Sequence, residues 1–293
     1  MANVTAYTSL DMINPDVSYG YVSSYDSTHI SLSDGIHTGT YYGSFSYSAA
    51  GDVYGTLTGY KSWEGGTLTL SVTGASVNAF DYYSAIQSGD GELAVGITLA
   101  GNDSVTGSRF DDSLAGFLGK DTIDGGAGND LILGGIGTDR LVGGSGADSM
   151  SGEGGNDRLS GGAGSDNLNS GGGSDTLAGG SGKDVLNGGA DDLKDTFDFN
   201  IISESGLGLQ ADRVENFLNR VDEIDLSGID ANSTTTGNSA FEFNGTTARA
   251  HSVWYAEQSG GVSVFGDVDG DNVADFEIFL ADISLVRTGD FIL

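Results

Sequence analysis

Ten aspartates recur at intervals of nine residues through the middle of this chain of 293 residues. They are Asp103, Asp112, Asp121, Asp130, Asp139, Asp148, Asp157, Asp166, Asp175 and Asp184. An apolar residue stands two positions after each aspartate and glycines precede most of them, so the unit reads G-G-x-G-x-D-x-U-x with U apolar. Carboxylate oxygens at a fixed interval are ligands for a hard divalent cation. The spacing therefore predicts a repeated calcium site.

A fixed short period with glycine turns and one apolar residue per unit is typical of a parallel β-roll. The unit divides into a turn, where glycine permits positive φ, and a short strand whose central side chain points inward. Two units make one turn of the coil, so aspartates eighteen residues apart stack in two columns. Rail A consists of Asp103, Asp121, Asp139, Asp157 and Asp175, and rail B of Asp112, Asp130, Asp148, Asp166 and Asp184.

Each gap between stacked turns is expected to hold one ion, bound by the aspartates and by backbone carbonyls of the glycine turns. The gaps in the two rails allow up to about eight calcium ions. The expected carbonyl donors are those of Gly119, Gly126, Gly128, Gly135, Gly137, Gly144, Gly146, Gly155, Gly162, Gly164, Gly171, Gly173, Gly180 and Gly182. Because the aspartates repel one another without cations, we expect the array to be unfolded until metal binds.

Some units depart from the consensus. Ser108, Phe117 and Glu153 replace the second glycine of their turns, and Phe110 replaces a third glycine. Most of these departures lie at the amino-terminal edge of the array. The first rungs are therefore expected to be capping turns with weak or absent sites.

The cleanest units resemble the repeats of the RTX (repeats-in-toxin) family of secreted bacterial proteins. They read GGAGNDLIL from Gly125, GGIGTDRLV from Gly134, GGSGADSMS from Gly143 and GGSGKDVLN from Gly179. The resemblance covers residues 99–189 and implies a calcium-loaded β-roll that is exported unfolded and folds in extracellular calcium.

After the last unit, the chain resembles the carboxyl-terminal domain of serralysin-type (peptidase M10) proteases. The matching positions are Asp195, Phe197, Phe199, Asp212, Phe217, Asp222, Ile224, Asp225, Leu226 and Ser227. This resemblance implies that residues 190–293 cap the roll with antiparallel strands. Within them Asp267, Asp269 and Asp271 form a candidate additional calcium loop, although Asn272 and Ile278 depart from the EF-hand pattern. We interpret that segment as an acidic β-hairpin.

The last four residues, Asp290, Phe291, Ile292 and Leu293, resemble the uncleaved export signal of substrates of type I (ABC) secretion machinery. The amino terminus lacks the basic and apolar regions of a signal peptide. No stretch approaches the ~18 apolar residues of a transmembrane helix. These features favour a protein secreted by the type I route.

Residues 1–95 predict an antiparallel β-sandwich or meander, with strands over 41–48, 53–60 and 67–73, and a short helix from Asn78 to Gln87. This region holds 11 of the 12 tyrosines. Tyrosine faces with Trp63 suit stacking on sugars or on another protein surface, and core packing is the alternative. We therefore predict an interaction or adhesion head for a glycan or cell-surface ligand.

The composition excludes several classes. A net charge of −31 argues against nucleic acid as a partner. The sequence contains neither H-E-x-x-H nor G-x-S-x-G, and it has no cysteine nucleophile. A non-enzymatic protein is therefore expected, although a pair of catalytic carboxylates in the amino-terminal module stays open.

The sequence thus predicts an all-β protein with three parts: an antiparallel module over 1–95, a calcium-loaded parallel β-roll over 99–189 and a β cap over 190–293. The favoured function is a secreted, extracellular calcium-binding protein with a binding head. The alternatives are a small secreted hydrolase or polysaccharide-modifying enzyme, and a surface or matrix protein that assembles with calcium.

Overall fold

The structure is a computed structural model, and the predicted all-β class is confirmed: a parallel β-solenoid of about five turns dominates it. It describes residues 3–6, 21–25, 29–33, 37–47, 53–64, 67–78, 101–107, 109 and 111–293, the first six ranges as backbone only. These residues contain no α-helix. The chain divides into two compact units, 1–140 and 141–293, each described by itself.

The first unit begins with an antiparallel meander. Its strands are β1 (Asn3–Ala6), β2 (Tyr21–Tyr25), β3 (His29–Ser33), β4 (His37–Tyr47), β5 (Val53–Glu64) and β6 (Thr67–Asn78). Strands β2 to β6 pair in chain order, and β1 pairs antiparallel with the far edge of β6. The three predicted strands correspond to β4, β5 and β6. Asn78 ends β6, and the rest of the predicted helix lies outside the described residues.

The solenoid strands of the first unit lie in two sheets. They are β7 (Ser104–Thr106), β8 (Ser113–Ala115), β9 (Leu118–Gly119), β10 (Thr122–Ala127) and β11 (Leu131–Gly137). Strand β7 pairs in parallel with β10, and β11 pairs in parallel with β8 and β9. Strand β1 pairs in parallel with β7, Val4 facing Val105. The edge of the first rung is thereby covered by the amino-terminal strand, which protects it from pairing with another chain.

The second unit continues the alternation between two sheets. The repeat strands are β12 (Arg140–Ser145), which spans the division, β13 (Ser149–Gly154), β14 (Arg158–Ala163), β15 (Asn167–Asn169), β16 (Thr176–Ser181) and β17 (Val185–Asn187). The later elements are β18 (Thr196–Asp198), 3-10 helix η1 (Gly208–Gln210), β19 (Asp212–Glu215), β20 (Glu223–Asp225), β21 (Glu242–Phe243), β22 (Ser252–Gln258), β23 (Gly261–Gly266), β24 (Phe276–Ala281), 3-10 helix η2 (Thr288–Asp290) and β25 (Phe291–Ile292).

Parallel pairing continues past the last nonapeptide. Strands β16, β18, β20 and β25 form one parallel series, and β17 pairs in parallel with β19, which pairs in parallel with β24. After the last nonapeptide, the antiparallel pairs of the described residues are β22 with β23 and β23 with β24. The resemblance implied an antiparallel cap, whereas its first strands in fact add further rungs to the roll.

Apolar side chains from both sheets fill the solenoid. The ten apolar residues two positions after the rail aspartates are each at most 2% exposed. The series continues beyond the repeats, because Phe197 pairs with Leu177 in one sheet and Val214 pairs with Leu186 in the other. Each nonapeptide therefore buries only one large apolar side chain.

Candidate metal centre

Backbone hydrogen bonds tie the aspartates of each rail to one another. The N–H of one aspartate donates to Oδ1 of the aspartate eighteen residues later. In the first unit these bonds run from Asp103 to Asp121 at 2.7 Å, from Asp112 to Asp130 at 2.8 Å and from Asp121 to Asp139 at 2.8 Å. In the second unit they run from Asp148 to Asp166 at 2.8 Å, from Asp157 to Asp175 at 2.7 Å and from Asp166 to Asp184 at 2.8 Å. Within each unit the stacking agrees with the two rails.

The second carboxylate oxygen of several of these aspartates is buried without a hydrogen bond. All ten repeat aspartates are at most 5% exposed. Oδ2 of Asp121, Asp166 and Asp184 accepts no hydrogen bond. A buried carboxylate oxygen without a donor is costly unless a cation compensates it. These oxygens therefore indicate cation sites within the described part of the chain.

Backbone carbonyl oxygens lie close to the Oδ2 atoms of the repeat aspartates. A Cβ built on Gly143 would lie 2.3 Å from Asp148 Oδ2 and 2.6 Å from the Gly161 carbonyl oxygen. At Gly161 the corresponding distances are 2.4 Å to Asp166 Oδ2 and 2.6 Å to the Gly179 carbonyl oxygen. Only glycine leaves this space open. The oxygens that meet there form the all-oxygen donor set that calcium prefers.

The carbonyls beside Oδ2 belong to the first residue of the following turn, which is not among the predicted carbonyl donors. They come from Gly125, Gly134, Gly161 and Gly179, and from Ser170 where serine replaces that glycine. The fourteen glycines that were selected all have positive φ, as the turn requires. Their role as carbonyl donors stays a prediction.

Two of the replaced glycines keep the glycine conformation. Phe117 has φ 70° and Glu153 has φ 69°, both in the left-handed region. Neither side chain is one that adopts this region readily, so both turns are held in it by the stacking of their neighbours. Ser108 and Phe110 lie outside the described residues.

The ladder of aspartates extends beyond the repeats. The N–H of Asp175 donates to Asp195 Oδ1 at 3.0 Å, that of Asp184 to Asp212 Oδ1 at 2.8 Å, and that of Asp195 to Asp222 Oδ1 at 2.9 Å. Asp195, Asp212 and Asp222 are at most 3% exposed. These three aspartates lie in the predicted cap, and no metal role was predicted for them. An apolar residue two positions after each one, as in the repeats, was the available signal.

Burial perturbs the acidity of these groups. It raises the pKa of Asp121, Asp184 and Asp195 to about 7 and that of Asp212 to about 8, and neighbouring carboxylates add to the shift. The N–H that each Oδ1 accepts acts in the opposite direction. Burial likewise raises the pKa of Asp139, Asp166, Asp175 and Asp222. Desolvation of the carboxylate is the largest cause in each case.

The metal-free fold is expected to weaken as the pH rises. Because these folded pKa values exceed the ordinary value of 3.8, protonation contributes stability that is complete below 3.8 and is lost as the pH passes about 7 to 8. Metal-free protein should therefore show more strand signal by circular dichroism at pH 5 than at pH 8. Calcium affinity should change in the opposite direction, since calcium requires the deprotonated carboxylates. A pH-independent metal-free spectrum would contradict this linkage.

The acidic hairpin forms where it was expected, between β23 and β24. Carboxylate oxygens of Asp267, Asp269 and Asp275 lie within 4.8 Å of one another, so Asp275 rather than Asp271 completes the group. Both oxygens of Asp267 accept loop N–H groups, from Gly270 and Asn272 at 2.6 Å each. These bonds account for the loop without an ion, and calcium binding here stays a prediction.

The terminal segment is part of the sheet. Asp290 is fully buried and accepts N–H groups from Arg220 at 2.9 Å and Arg287 at 2.7 Å. Phe291 pairs with Ile224 and is 8% exposed. The predicted export signal therefore includes β25, which is paired within the folded sheet.

Stacked oxygen donors in a parallel solenoid define a calcium-binding β-roll. Residues 97–132, 133–168 and 160–192 match the family described as RTX calcium-binding nonapeptide repeat. The central segment is thus an RTX-type array, and repeats of this type bind calcium. No curated protein matches the chain significantly. Among the described residues, no helix has the length and apolar character needed to cross a membrane.

A solved structure with some similarity is the solution structure of the AlgE6R3 subunit from the Azotobacter vinelandii mannuronan C5-epimerase. It is 21% identical, the match covers 66% of this chain and 78% of that chain, and the TM-score is 0.29. A similarity this low supports no conclusion about this chain. The residues that the structure describes give no positive sign of catalysis.

Proposed function

We propose that the protein is a secreted calcium-binding RTX protein whose β-roll folds when it meets extracellular calcium. The observations that carry this proposal are the buried Oδ2 atoms of Asp121, Asp166 and Asp184, none of which accepts a hydrogen bond. Calcium at millimolar concentration, the range in which extracellular modules bind it, would compensate them. The ten repeat aspartates are the proposed side-chain ligands, with backbone carbonyls of the turns completing each shell.

The proposed route of export depends on the same calcium-dependent folding. In a compartment poor in calcium the array stays unfolded, so the terminal strand is accessible to type I secretion machinery. Outside the cell, calcium folds the roll and buries Phe291 against β20, which would make export irreversible. The domain limits that belong to this proposal are 1–95 for the head, 99–189 for the roll and 190–293 for the cap.

A calcium titration of chelated protein, followed by circular dichroism, tests the proposal. Cooperative growth of strand signal with calcium, and little growth with magnesium, is the expected result. Magnesium is the control because it demands a smaller octahedral shell and gives up its waters reluctantly. Failure of calcium to change the spectrum would reject the proposal.

The amino-terminal module is proposed to be the binding head. It is an antiparallel sheet that holds most of the tyrosines of the chain. Calcium-loaded full-length protein is expected to bind a subset of an immobilised glycan array, and Trp63→Ala should reduce that binding about tenfold through loss of a stacking surface. Equal binding by the wild-type protein and the variant would argue against the head as a sugar-binding surface.

A further inference from the structure

The carboxylates where the repeat array meets the cap form a group that no nonapeptide contains. Asp184 is the last aspartate of rail B, and Asp212 follows it in the ladder after 28 residues rather than eighteen. Strand β17 pairs in parallel with β19, so Asp184 and Asp212 stand at equivalent places on adjacent rungs. Between Asp184 and Asp212 the chain forms β18 and then a turn that is longer than the turn of a nonapeptide.

This turn stacks on the last repeat in the way that nonapeptide turns stack on one another. Ser205 bridges in parallel to Gly182, within the final glycine turn. The Ser205 hydroxyl accepts the Asp212 N–H at 2.9 Å and donates to the Glu277 carbonyl oxygen. The turn is therefore fixed to both β19 and β24, and Glu204 is held next to the end of rail B.

Both aspartates have a buried oxygen available for an ion. Asp184 and Asp212 are fully buried, and Oδ2 of each accepts no hydrogen bond. The Ser205 hydroxyl donates to the Glu277 carbonyl oxygen. Among the described residues, no lysine or arginine forms an ion pair with Asp184, Asp212 or Glu204.

Glu204 supplies a third negative charge in place of a carbonyl. Beside Gly179 the three nearest atoms all belong to Asp184, so no carbonyl of a following turn approaches as closely as at Gly161. The Glu204 carboxylate is half-buried, and its charge contributes to the raised pKa of both Asp184 and Asp212. Glu204 Oε2 accepts the Asn200 N–H, which fixes the side chain within the long turn that stacks on the last repeat.

We infer that Asp184, Asp212 and Glu204 bind one further hard divalent cation, calcium, at the junction between the repeat array and the cap. This inference rests on the proposed function, because it assigns calcium to a further gap in the same series of stacked aspartates. The inference gives the cap a role in metal binding in addition to covering the end of the roll. The cap supplies two of the three carboxylates of this site, so folding of the last repeat requires residues 204 and 212.

The number of calcium ions on the intact chain, counted by native mass spectrometry across a calcium series, tests this site. Asp212→Asn keeps an oxygen that accepts the Asp184 N–H but removes the charge, and Glu204→Gln removes only a half-buried charge. We expect Asp212→Asn to bind one ion fewer than the wild type. Glu204→Gln should need about tenfold more calcium to fill its last site. Glu257→Gln, an exposed change on β22, is the matched control and should behave as wild type.

The outcomes separate the two proposals. Wild-type counts and occupancies in both Asp212→Asn and Glu204→Gln, with calcium bound elsewhere, would overturn the junction site and leave the proposed function intact. An effect of Asp212→Asn alone would overturn the assignment of Glu204. If Asp212→Asn does not fold, Glu204→Gln still decides the matter, since its backbone contacts are unchanged. A wild-type chain that binds no calcium would overturn the proposed function and this site together.

Discussion

Chelation of calcium is expected to remove most of the parallel strand structure of this protein. The roll buries one large apolar side chain per nonapeptide, so hydrophobic burial opposes little of the entropy lost when its glycine-rich turns become ordered. Its rails also carry stacked, buried carboxylates that repel one another when no cation lies between them. Metal binding therefore supplies the folding free energy of the array. Circular dichroism and thermal melting before and after chelation measure the effect.

Readdition experiments distinguish folding by calcium from general charge screening. Calcium should restore the spectrum at millimolar concentration, whereas sodium chloride at the same ionic strength should not. Chelated protein that keeps its full strand signal and melts at the same temperature as the loaded form would contradict the metal-dependent fold.

Asp166→Ala is expected to raise the calcium concentration at half-folding by at least about tenfold. The N–H of Asp148 donates to the Asp166 carboxylate, and the Asp166 N–H donates to the Asp184 carboxylate, so Asp166 belongs to two successive gaps of rail B. Its loss would weaken two ions at once and leave the carboxylates on either side less compensated. The measurement is a calcium titration of each variant at constant pH, followed by circular dichroism.

The position of the aspartate provides the control for this prediction. Asp103 begins rail A and has no repeat aspartate eighteen residues before it, so Asp103→Ala should produce a smaller shift. Asp124 is an exposed aspartate within the array, and Asp124→Ala should leave the titration unchanged. Equal shifts for Asp166→Ala and Asp124→Ala would mean that the rails bind calcium through net charge alone.

The repeat array was predictable because its information is local and periodic. A nine-residue period puts each repeat aspartate next to the start of a strand and the apolar residue two positions after it in the core. The structure buries Leu159 and Leu168 as that period requires. The backbone of the amino-terminal meander was predictable for a similar reason, since its alternation matches β4, β5 and β6.

The junction could not be predicted in this way because its spacing is irregular. Asp195, Asp212 and Asp222 are separated from their partners by 20, 28 and 27 residues, and nothing in the interval indicates which residues stack. The resemblance implied antiparallel strands there, whereas parallel pairing of β19 with β17 brings Asp212 under Asp184. Similarly, Asp275 joins Asp267 and Asp269 only because the hairpin folds back.

The amino-acid sequence by itself determined the ligand chemistry, the two rails and the all-β class, because each of these depends on residues within one or two periods of the chain. Only the tertiary structure decided where the ladder ends, since its last rungs come from segments joined by long turns. Hydrogen bonds from one rung to the next, and not distance along the chain, determine which carboxylates share a gap. For that reason the spacing of aspartates along the sequence changes at the boundary between repeat and cap, whereas the stacking of rungs continues across it.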